Sequence, residues 1–237
     1  MQSTYTSDAL FHFVGRQSRD DHEANYRILL KVLRDGCVSY APHKCDWGEV
    51  SVKVNLDRHL ISEELAVPTV TCFCDIPLTH LSIHARKYGK FGVSFKRAFL
   101  IAYGGRPVLY VPYVPHEHEE HALGGHRLLN KIEWSYRAFY DTDAGAVVRE
   151  QGGEEGLHDV FLRDFVAYIK PFPASLPDDD AKNFYLEREW RKYGNLLFTV
   201  ENVMHVVVAE GFENRLRCDA PAFGKLVVSC PASQENC

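Results

Sequence analysis

Long apolar runs are missing from this sequence. The longest, Ala98–Tyr103, Val108–Val114 and His205–Ala209, fall far short of the roughly 18 residues that a spanning helix needs, so no membrane helix is expected. The amino-terminal stretch MQSTYTSDALFHF carries no basic region and no apolar core, so no signal peptide is expected either. A basic excess is also missing. Lys and Arg number 27 against 32 Asp and Glu, a net charge of −5. Strong non-specific nucleic-acid binding is therefore not expected, and a nucleic-acid target would need a local groove. Methionine is scarce, at 2 residues. No C-x₂-C pair is present among Cys37, Cys45, Cys72, Cys74, Cys218, Cys230 and Cys237, which speaks against a structural zinc ribbon. An odd cysteine count without an export signal predicts reduced thiols and a cytoplasmic location. The phosphate-loop, dinucleotide-fingerprint and nucleophile-elbow patterns are all absent.

What is present is an ordinary globular composition. Hydrophobic residues make up 46%, charged residues 25% and aromatics 12% of 237 residues. This excludes disordered, collagen-like and coiled-coil chains. The length allows one elaborated domain or two small ones. Leu10–Val14 reads as a strand. Glu23–Asp35 reads as a helix stopped by Gly36. Val50–Leu56 and Val67–Cys74 read as strands, with Cys72 and Cys74 as small buried residues on one face. A helix is expected over Leu78–Tyr88, a turn over Gly89–Gly92, and strands over Val93–Phe95 and Pro107–Val114. Leu123–Phe139 has helical spacing, Asp141–Gly156 reads as an exposed acidic loop, and Val160–Ile169 as helix then strand. Pro171–Asp180 reads as a Pro-rich connector, Val203–Ala209 as a strand and Lys225–Val228 as a last one. Helices crowd the first two thirds and strands the last third. The expected fold is a single α+β domain, with mixed or antiparallel sheets and flanking helices.

Three places carry candidate chemistry. The first is the histidine cluster His116, His118 and His121, with His126 nearby. Its spacing misses the metalloprotease pattern by one residue, so a solvated acidic turn is expected and no metal. The second is His12, between Phe11 and Phe13 on the opening strand. The third is Tyr185–Arg191, YLEREWR. If this segment is extended, Glu187 and Glu189 share a face and repel unless a cation or substrate lies between them.

Taken in order, Phe11–Arg16 (FHFVGR), Tyr26–Gly36 (YRILLKVLRDG), Cys72–Leu78 (CFCDIPL), Tyr88–Phe95 (YGKFGVSF), Pro107–Tyr110 (PVLY), Tyr168–Phe172 (YIKPF) and Tyr185–Arg191 (YLEREWR) resemble the AbiGi proteins of bacterial abortive phage resistance. That family is described as an antitoxin. The resemblance implies a phage-defence role and a partner, either a toxin or a phage or host macromolecule. The layout is more distantly similar to ADP-ribosyltransferases, which implies NAD as substrate. In that likeness His12 touches the ribose, Arg16 faces the pyrophosphate, Tyr88 or Phe95 clamps the nicotinamide and Ser94 takes the Tyr/Ser place of the middle motif. Glu189 and Glu187 are then the catalytic pair. A carboxylate at the ribose stabilises an oxocarbenium-like state, and a second one deprotonates the nucleophile. His12 and the Glu pair must then reach one site, which favours one closed domain spanning the chain. The alternatives are a non-catalytic antitoxin that neutralises a partner toxin and a metal-dependent nuclease using His116, His118 and Asp or Glu.

Overall fold

The computed structural model describes residues 7–40, 44–45, 50–114, 124–140, 160–177, 180 and 183–230. In chain order its main elements begin with β1 (Ala9–Val14), α1 (His22–Asp35), β2 (Cys37–Val38), β3 (Val52–Val54), β4 (Ala66–Pro68) and β5 (Val70–Cys74). Then come α2 (Leu81–Tyr88), β6 (Phe91–Lys96), α3 (Arg97–Ala102), β7 (Arg106–Pro107), β8 (Leu109–Tyr113) and α4 (Gly125–Tyr140). The chain continues through β9 (Ile169–Pro173), β10 (Glu189–Tyr193), β11 (Leu196–Leu197), β12 (Val203–Ala209), α5 (Glu213–Asp219) and β13 (Val227–Cys230). The fold is mixed α+β.

Contacts group the chain into two compact units. One holds Met1–Glu49, Val70–Pro107 and Glu187–Cys237; the other holds Val50–Thr69 and Val108–Leu186. The first is built on a seven-stranded sheet in the order β13-β12-β6-β1-β5-β10-β7. Its neighbours are antiparallel except β12 and β13, which run parallel. The alternating side chains of β1 send Leu10 and Val14 to one face and Ala9 and Phe11 to the other. On the first face they join Val93, Phe95, Val206 and the α1 residues Tyr26, Leu29 and Leu33. On the second they join Cys74, Val207 and the α2 residues Leu81 and Ala85. The first face thus buries α1 together with Leu100 of α3 and Leu216 of α5, and the second buries α2, which is how a sheet apolar on both sides is covered.

α1 is the best-signalled element. The Asp21 carboxylate accepts from the Ala24 N–H at 2.9 Å, capping the first turn. At the other end Gly36 adopts φ 59° and its N–H returns to the Val32 carbonyl.

The second unit packs α4 over β3, β4 and the parallel pair β8–β9, around Leu60, Leu65, Val111, Leu129, Tyr136 and Ile169. Glu133 ties it together. Its carboxylate accepts from the Leu60 N–H at 2.9 Å, from Arg137 at 2.9–3.0 Å and pairs with His59 Nδ1 at 2.9 Å. Burial alone would raise this carboxyl, but those donors more than offset it and hold it below the usual carboxylate range.

Several expectations need correction. The strand expected over 67–74 is two strands, β4 and β5, in different units: the pairing with the β3 side runs on past Pro68, through the Thr69 N–H to the Ser51 carbonyl at 2.9 Å, before β5 joins the seven-stranded sheet. The strand expected over 107–114 divides the same way into β7 and β8. Phe91 and Gly92 belong to β6 and not to a turn, since Phe91 is fully buried against Tyr26 and Phe212. The Pro-rich connector begins inside β9: Pro171 and Pro173 sit opposite Val111 and Tyr113 of β8. Cys74 is buried but Cys72 is exposed. The acidic loop at 141–156 lies outside the described residues.

Candidate functional site

The Glu187–Glu189 segment is not extended throughout. Glu187 closes a 3₁₀ turn (Tyr185–Glu187), Arg188 takes φ 45°, and Glu189 opens β10. The strand alternation expected for the two carboxylates therefore does not apply. Both are buried, at 7% and 5% exposure, and each has its own cation. Glu187 accepts from the Tyr88 hydroxyl and pairs with Lys87 at 2.9 Å. Glu189 pairs with Arg191 at 2.7 Å. A third buried carboxylate, Asp75, holds Arg97 at 3.2 Å and Arg188 at 3.1 Å, so the positive-φ residue between the two glutamates is itself anchored.

This packing sets the local chemistry. Burial first, and the Glu187 carboxylate next, push the Tyr88 phenol far above its ordinary range, so it stays a proton donor. Burial and then Glu187 and Glu189 raise the Cys74 thiol likewise, which keeps it protonated and unreactive. The Arg16 guanidinium lies 5.5 Å from the Tyr88 ring centroid. Arg16, Lys87, Tyr88 and Glu187 thus form one cluster at the end of α2.

The sheet register separates the remaining candidates. Phe11 pairs with Ser94 and with Cys74, and Cys74 pairs with Glu189. Side chains directly opposite one another share a face, so Ser94 and Glu189 lie on the α2 side. His12 pairs with Val93, one residue out of phase, and lies on the α1 side beside Phe73. Its Nδ1 meets the Cys72 carbonyl at 2.8 Å. Phe95 lies on that side too, fully buried among Phe73, Phe99 and Phe198. A cavity of about 450 Å³ near α1 is lined by His12 and Arg16 together with Val32, Cys37 and Cys45. The seven candidates do not converge: Glu187, Tyr88 and Arg16 do, His12 and Arg16 share a cavity, and Phe95 is core.

Two histidines were not singled out by sequence reasoning. His205 Nδ1 lies 3.0 Å from the Ser94 hydroxyl, and burial lowers its pKa. Ser94 is fully buried, so this pair links β6 to β12 at the irregularity between Val203 and His205. His84 is 4% exposed, stacks on Tyr88 at 5.9 Å and, among the described residues, finds no hydrogen-bond partner for Nε2. Burial, then Lys87, lowers its pKa to about 4. The signals were faint: a single His in a β-branched run, and one on a helix without other ligand types at spacing. Among the described residues no group of three His, Cys, Asp or Glu stands where it could hold a metal. His116, His118 and His121 lie outside the described residues. No described helix is long and apolar enough to cross a membrane.

A family model described as "Putative abortive phage resistance protein AbiGi, antitoxin" matches residues 47–218, about three quarters of the chain. The chain belongs to the AbiGi family. The matched span takes in β5, the α2–β6 segment and the Glu187–Glu189 segment, but begins after β1 and α1. The abortive phage resistance protein AbiGi of Lactococcus lactis subsp. cremoris is 29% identical over 136 residues, covering 52% of this chain and 49% of that protein. The alignment with this curated AbiGi relative therefore spans about half of its length. No solved structure matches the chain.

Proposed function

We propose that this AbiGi-family protein acts in abortive phage resistance as an antitoxin, by binding a partner toxin and without chemistry of its own. One observation carries the reading: the buried carboxylates Glu187, Glu189 and Asp75 are each held by an internal cation. A carboxylate that stabilises a developing ribosyl cation must face the sugar and not a guanidinium of its own strand. The separation of His12 and Phe95 from Ser94 and Glu189 by the sheet supports the same reading. An acidic net charge complements a basic partner surface and speeds its capture.

The test is co-expression with the product of the neighbouring gene. Association of the two proteins, and relief of any growth arrest, is expected with wild type and equally with Glu189→Gln. Failure to associate, or loss of relief in a folded Glu189→Gln protein, would sink the idea. A second reading, NAD-dependent ADP-ribosyl transfer, is favoured by Arg16, which both lines a cavity with His12 and lies over Tyr88. There Arg16 would hold the pyrophosphate, Tyr88 would stack on nicotinamide, and Glu189 and Glu187 would serve the ribose and the nucleophile. It predicts nicotinamide release from NAD by wild type and none from Glu189→Gln.

A further inference from the structure

A separate group of cations lies where loop 15–21 meets the end of α2 and the start of β6. Arg19, Arg86 and Lys90 line a cavity of about 340 Å³ with Asp20, His22 and Ala85. Asp20 pairs with Arg19 Nε at 3.5 Å and takes up part of its charge. Among the described residues, neither Arg86 nor Lys90 has a carboxylate partner. Two cations without a carboxylate partner among the described residues thus line one cavity in a chain of net charge −5.

The loop side of the cavity is held in place by hydrogen bonds. Asn25 is fully buried and its side-chain amide donates to the Ser18 carbonyl at 2.9 Å and the Arg19 carbonyl at 3.3 Å. Arg19 Nη1 in turn donates to the Arg86 carbonyl at 2.9 Å, joining the loop to α2. Gly15 enters the loop at φ 100°, and a Cβ there would lie 2.3 Å from Asn25. The cations are thus carried on an ordered scaffold, so binding has less backbone left to order.

We propose that this cavity binds a phosphate group, carried either by free inorganic phosphate or by a nucleoside monophosphate. A fork-shaped guanidinium and a compact ammonium lining one cavity match a tetrahedral dianion in charge and in donor type. The cavity holds about ten waters at roughly 30 Å³ each, enough for a hydrated phosphate. The negative charge of the molecule as a whole disfavours a long polyanion and leaves a small one.

The test is isothermal titration of the full chain with inorganic phosphate and, in a second arm, with AMP. Saturable binding of one or both is expected, weakened about tenfold or more in Arg86→Gln/Lys90→Gln. Lys131→Gln, which removes a cation far along the sequence on α4, is the control and leaves the affinity unchanged. Equal affinities in the two arms support a bare phosphate site; tighter AMP supports a nucleotide. The proposal is overturned if neither probe saturates, or if Lys131→Gln weakens binding as much as the double variant. Circular dichroism of each variant confirms the native fold, and a folded double variant with undiminished affinity also overturns it.

Discussion

His84 shows what one side chain does when it is buried without a full set of partners. Its Nε2 has none among the described residues, and its pKa falls from 6.5 to about 4 because burial penalises the imidazolium and Lys87 adds to the penalty. The folded state therefore refuses a proton that the unfolded chain accepts. The stabilisation is full above pH 6.5 and is lost as pH falls through that value towards about 4. The size of the effect is on the order of 3 kcal/mol. Urea unfolding at pH 7.5 and 4.5 measures it, and His84→Phe is expected to shrink the difference between the two midpoints. Tyr88 and Glu187 illustrate the opposite solution, a buried pair in which a neutral donor and Lys87 together satisfy the carboxylate. The sequence showed the acidic pattern at 187–189 but not its partners, since Lys87 and Tyr88 lie about 100 residues earlier.

At the scale of the element, local signals decide where helices start and stop. Asp21, the apolar spacing of Tyr26, Leu29, Leu30 and Leu33, and Gly36 together specify α1 almost to the residue. Gly36→Ala is expected to cost at least about 1–2 kcal/mol. A side chain pays for the left-handed conformation, and its Cβ would approach the Phe198 carbonyl to 2.8 Å. The urea midpoint reads this. The strands were less legible. An apolar run such as 67–74 does not say where a ladder ends, and Pro68 permits an edge pairing with Val52 on one side of the break. Pro107 does the same on β7, opposite Trp190.

At the scale of the whole molecule, the seven-stranded sheet sets an order of stability. Backbone amides of β1 and β6, flanked on both sides and covered on both faces, are expected to exchange with solvent last. Those of β7 and β13, at the edges, are expected to exchange first. Hydrogen exchange followed by mass spectrometry of peptic fragments tests this; an edge strand outlasting β6 would overturn it.

The sequence by itself determined the class of the protein, its acidic balance, the helix α1 and the family motifs, because these depend on composition and on neighbours a few residues apart. Only the tertiary structure decided which motifs meet. A one-residue step along β1 moves a side chain to the opposite face of the sheet, so His12 and Glu189 are parted by the pairing of β1 with β5 and of β5 with β10. That pairing joins residues more than 60 positions apart, and no local pattern encodes it.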